Sequence, residues 1–99
     1  MPQGMSKPAA RLTVTPALAQ RMLDGRVPSR SPSARMIDHL AAKLKDGGWH
    51  PEAAVITTLP DGRVLNGQNV LEAIMQYGKA AEVTIEVAPV EPVGLHGRA

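Results

Sequence analysis

Ile37, Leu40, Ala41 and Leu44 are apolar at positions i, i+3, i+4 and i+7, with mostly charged or small residues between them. That spacing predicts a helix with one buried face. Ser31-Pro32 upstream supplies a capping hydroxyl and a proline suited to a first helical turn, and Gly47-Gly48 stops the run. A second helix is predicted from Pro16, behind a Thr15 cap, with Leu18, Ala19, Met22 and Leu23 on one face and Asp24-Gly25 as its end. Val70, Leu71, Ile74, Met75 and Tyr77 mark a third, closed by Gly78.

Between and around these helices the period falls to two. Leu12-Thr13-Val14 reads as a short strand, and Val83, Ile85 and Val87 alternate with Thr84 and Glu86 as a half-exposed one. Residues 53–58 (AAVITT) are nearly continuous in apolar and β-branched character, which predicts a buried strand. LPDG (59–62) is a turn, and Arg63-Val64-Leu65 is the return strand. The order is β-α-α-β-β-α-β, an α+β class of fold in a single domain over residues 11–88. Residues 1–10 and 89–99 hold little apolar surface and several Pro and Gly, so the first is expected to be a disordered tail and the second a flexible one.

Composition narrows the chemistry. With no Cys in 99 residues, disulfides and thiolate metal sites are excluded. His39, His50 and His96 share no ligand spacing, so neither a metal site nor a cofactor is expected. The opening MPQGMSKPAA carries no apolar leader, and no run approaches the roughly 18 residues of a membrane span, so a cytoplasmic protein is expected. Charge is segregated. Residues 1–49 hold eight Lys/Arg against three Asp, a net +5, whereas residues 50–99 hold three against six acids, a net −3. Arg26, Arg30, Arg35 and Lys43, with Lys45 beyond, form the candidate nucleic-acid surface. Two solvated faces of opposite sign account for the same pattern, and no aromatic platform for stacked bases accompanies it.

The run from Trp49 to Val87, WHPEAAVITTLPDGRVLNGQNVLEAIMQYGKAAEVTIEV, resembles the ParB-like N-terminal domain, whose fold is shared with sulfiredoxin. It is similar in particular to the branch with a DGQHR-type signature at a strand-to-helix junction. RSPSARMIDHLAAKLKDGGW (30–49) fits the capped helix and Trp that precede it there, so the resemblance covers about 60 of the 99 residues. In that family the basic pair of the signature would meet a nucleotide phosphate at the helix start. Here Gly67 and Gln68 match, Asn66 stands for Asp, and Asn69-Val70 stand for His-Arg.

The scaffold half of such a site therefore survives and the side-chain half does not. A helix start can attract an anion through backbone N–H groups, which makes Gly67, Gln68 and Asn69 a residual anion or nucleotide site, with Arg63 as a substitute cation. A helix start serving only the fold explains the same residues. Asn69 is no acid or base near neutral pH, and Val70 cannot pair with phosphate. No catalytic residue is expected. The reading is a non-enzymatic binding or regulatory module on a degenerate ParB-like scaffold, acting on a protein partner or DNA. Two alternatives stay open. One is a nucleotide-binding hydrolase or nuclease with a rearranged site. The other is a homo-oligomer, a homodimer included, joined through its Met- and Ala-rich helix faces.

Overall fold

The computed structural model describes residues 9–27 and 32–88. Seven elements follow the expected order: β1 (Ala9–Val14), α1 (Pro16–Asp24), α2 (Ala34–Asp46), β2 (Val55–Thr58), β3 (Val64–Asn66), α3 (Gln68–Tyr77) and β4 (Ala81–Val87). The strands form one mixed sheet in the order β1-β4-β2-β3. β4 is antiparallel to β1 and parallel to β2, and β2 is antiparallel to β3.

Register shows which face is buried. Val14 lies opposite Ala81, Leu12 opposite Val83, Ile56 opposite Ile85, and Thr58 opposite Val64 and Val87. Directly opposed residues point to the same side of a sheet, so these line one face, and most of them are buried. The helices cover that face. α3 packs on β2 and is flanked by α1 and α2, burying Val70, Leu71, Ala73 and Ile74. The Ala-rich helix faces are thereby taken up inside the molecule, since Ala19, Ala41 and Ala73 all belong to this core. No described helix is long and apolar enough to cross a membrane.

Several boundaries differ from the sequence expectation. β1 begins at Ala9, because Ala9 and Ala10 pair with Glu86 and Ile85, so the sheet takes in two residues expected to be disordered. Residues 1–8 and 89–99 lie outside the described residues, as do Ser31 and Arg30. The cap of α2 is Ser33 rather than Ser31. Ser33 is extended, and its hydroxyl accepts the Met36 N–H at 3.2 Å, so Pro32 precedes the cap and Ala34 opens the helix. β2 starts only at Val55, since the N–H groups of Ala53 and Ala54 turn back to the His50 carbonyl at 2.9 and 3.1 Å. β2 is also less buried than its composition implies. Ile56 and Thr58 face the helices, while Val55 and Thr57 lie half-exposed on the side that no described helix covers.

The segment leading into β2 is tied to β4. Trp49 Nε1 donates to the Glu82 carbonyl at 2.7 Å, and Thr84 Oγ1 donates to the Pro51 carbonyl at 2.8 Å. These bonds fix where α2 ends relative to the sheet, and so where its other end stands beside α3.

Candidate functional site

β3 runs into α3 through Gly67, and this junction is the floor of a groove of about 900 Å³. Asn66, Gly67, Gln68 and Asn69 form the floor, Met36 and Leu40 of α2 one wall, and Leu65 another. The size falls in the usual range for ligand pockets, about 300–1,000 Å³.

Gly67 permits the junction for two reasons. Its backbone is left-handed, with φ 110°, and a Cβ there would stand 2.9 Å from the Ile56 Cα. Glycine alone meets both demands. Its N–H is held by Asn66 Oδ1 at 2.9 Å, and its carbonyl accepts the Val70 and Leu71 N–H groups at 3.1 and 3.2 Å. Gln68 begins the helix, with its Oε1 buried in the groove wall.

Asn69 has a structural duty. Its Oδ1 accepts the Ser33 N–H at 2.9 Å, while the Ser33 hydroxyl caps α2. One residue pair thus joins the entrances of two helices. Replacing Asn69 with Ala is expected to destabilise the fold by about 1 kcal/mol through the lost acceptor. Asn69→Asp keeps the acceptor and adds a negative charge in the first turn of α3, which favours the fold by about 0.3–1 kcal/mol. Urea unfolding at pH 7 should therefore rank Asp at or above the wild type, and Ala below it. An Asp variant as weak as Ala would remove the duty assigned here.

Arg63 is not brought to this site. Its Nε donates to Asp61 Oδ2 at 2.9 Å and its N–H to Asp61 Oδ1 at 3.0 Å, so it closes the β2–β3 turn and does not line the groove. The backbone N–H of Arg63, followed by its guanidinium, holds the Asp61 carboxyl below its ordinary value of 3.8. Val70, on α3, is largely buried at the edge of the groove and has neither charge nor hydrogen bond to give a phosphate.

The expected basic surface is heterogeneous. Arg26 Nη1 donates to the Leu23 carbonyl at 2.7 Å, which is a favourable use of a cation at the end of α1. Lys43 lies in the last turn of α2, where the dipole also favours it. Arg35 is exposed in the first turn of α2, where the dipole opposes it, so the fold gives no reason for its charge. Asp38 and Asp46 interrupt these cations along the same helix. Among the described residues no group of three His, Cys, Asp or Glu is placed to hold a metal ion.

The apolar half of the groove was not foreseen. Met36 is 44 % exposed and Leu65 39 %, two of the three large apolar side chains left open among the described residues. The signal was present in the sequence. Met36 falls beside the helical stripe rather than on it, and Leu65 follows core-facing Val64, so one of the two had to face away. No protein-family model, curated protein or solved structure matches the chain.

Proposed function

We propose that the chain is a non-enzymatic binding module on a ParB/sulfiredoxin-like scaffold, and that its groove takes an apolar anchor from a protein partner. The observation that carries this reading is the state of the helix start. Asn69, where the family signature has histidine, is engaged with Ser33, and Val70, where it has arginine, is core. Hydrolysis of a phosphate ester needs a group that positions or deprotonates water and charge that stabilises the transition state. None of the described residues lining the groove is charged or titratable, so neither proton removal nor charge stabilisation has a side chain there.

The groove itself supports a partner. Met36 and Leu65 offer adaptable apolar surface beside polar Asn66 and Gln68, a mixture that suits an anchoring side chain. The alternating charges of α2 match the mixed surface of a protein better than a uniformly anionic strand. Met36→Asp combined with Leu65→Lys should leave stability within about 0.5 kcal/mol, both sites being surface positions. Proteins retained by an immobilised wild-type chain should be lost by that variant. Equal retention would sink the groove reading. Metal-dependent cleavage of a nucleoside triphosphate or DNA by the pure wild type would instead promote the hydrolase.

One observation favours DNA as a second reading: Arg35, whose charge serves nothing in the fold. If DNA binds, replacing Arg26, Arg30 and Arg35 with Ala lowers affinity for all sequences alike. It also flattens the salt dependence by about one unit of slope per lost phosphate contact. Binding indifferent to salt or to the triple change removes that reading.

A further inference from the structure

The two ends of the sheet are built differently. β3 is three residues long, shifts register against β2, and turns at once into α3. Shortness and irregularity of this kind keep an edge from pairing with another chain. β1 has neither protection. Its six residues run in unbroken register with β4 from Ala9 opposite Glu86 to Val14 opposite Ala81, and no described strand lies on its other side. It holds no proline, and its one charge, Arg11, sits 3.9 Å from Glu82 Oε1 of the same chain. Ala9–Thr13 are exposed. Leu12 lies on the helix-bearing face opposite buried Val83, yet is 39 % exposed. The core face of the sheet thus continues at Leu12 beyond the part that the helices cover.

We propose that a second copy of this chain completes this edge. The two β1 strands pair antiparallel about a twofold axis, with Leu12 opposite the partner subunit's Leu12. Self-complementarity argues for a copy rather than an unrelated strand. Opposed residues share a face, so two copies with their helices on the same side must be centred on a single residue of β1. Only centres at Arg11 or Leu12 pair five residues within Ala9–Val14. Centring on Arg11 sets two guanidiniums directly opposite, which is destabilising. Centring on Leu12 brings the two half-exposed leucines together. Ala10 then faces the partner's Val14, small against branched, and Arg11 faces the partner's Thr13. Charge selects the register.

Strands of this length buried edge to edge cover less than the ~1,200 Å² at which standard interfaces begin, so the dimer is expected to be weak and to need high protein concentration. The mass of the full chain, 10.5 kDa as a monomer, should rise towards double in sedimentation equilibrium as concentration is raised to about 1 mM. Leu12→Glu, which opposes two carboxylates across the axis, should stay monomeric with an unchanged circular dichroism spectrum.

The chain has no cysteine, so single-Cys variants report the register. Directly opposed strand residues have Cα atoms about 4.5–5.5 Å apart, within disulfide reach, so oxidised Leu12→Cys should cross-link at least about tenfold faster than Arg11→Cys. A mixture of Arg11→Cys and Thr13→Cys should form the mixed disulfide in preference to either self-pair. A wild type that remains monomeric at about 1 mM, the weak end of measurable association, would leave the edge to some other partner and overturn the proposal. So would a dimer in which Leu12→Cys links no faster than Arg11→Cys. If Leu12→Glu fails to fold, the wild-type mass and the cross-linking rates still decide.

Discussion

Gly67→Ala is expected to destabilise the chain by about 2–5 kcal/mol, and Gly78→Ala by only about 1 kcal/mol. Both glycines are left-handed, at φ 110° and 84°, and that conformation alone costs a non-glycine residue roughly 1–2 kcal/mol. The surroundings separate them. A Cβ on Gly78 meets nothing within 4 Å, whereas one on Gly67 stands 2.9 Å from the Ile56 Cα and 3.0 Å from its Cγ1. Ile56 is fully buried in an inner strand, so its backbone cannot yield without moving the sheet, and such overpacking adds about 1–3 kcal/mol. A domain this small has about 5–10 kcal/mol in all. At about 4–8 °C per kcal/mol, the Gly67 variant should melt roughly 8–40 °C lower. Urea unfolding of the two variants side by side is the measurement. Equal losses would mean that α3 does not approach β2 as closely as described. The same comparison bears on the family resemblance, because a glycine required by packing is retained whether or not a ligand is bound.

Leu71→Ala should lower stability by about 3–4 kcal/mol, the usual range for emptying a well-packed site being about 2–5. Leu71 is fully buried on α3, the helix that touches β2, α1 and α2. Its removal leaves a hole in the core beneath a helix held from several sides. Met36→Ala, at an exposed position of the groove wall, should change stability by no more than about 0.5 kcal/mol. Chemical denaturation of both variants tests the contrast. A Leu71 variant that unfolds within 1 kcal/mol of the wild type would show that α3 is not the centre of the helical layer.

Much of this architecture was legible in the sequence because local signals agreed. Thr15-Pro16 starts α1, Gly78 ends α3, and the heptad-like spacing of Ile37 to Leu44 locates α2. What could not be read was whatever long-range pairing decides. Ala9 and Ala10 have no strand propensity worth noting, and become β1 only because β4 lies beside them. Ser31 and Ser33 are equally good caps in isolation, and the partner that Ser33 finds, Asn69, lies 36 residues further along. Arg63 looked like a free cation near the helix start until the turn gave it Asp61. At the candidate site the residue types were read, and their partners were not.

The position of β4 has a consequence for how the chain is made. It is the last of the described strands to leave the ribosome, yet it stands between β1 and β2 and pairs with both. Until it emerges, β1 has no described neighbour to pair with and β2 has only its short hairpin with β3. Helices can form as they are synthesised, but the sheet must wait for contacts between residue 9 and residue 86, the kind of distant pairing that slows folding. Nascent chains halted before Ala81 should therefore expose Val14, Ile56 and Val64 to solvent, leaving a protease-sensitive, chaperone-binding intermediate that becomes a domain only after β4 is released.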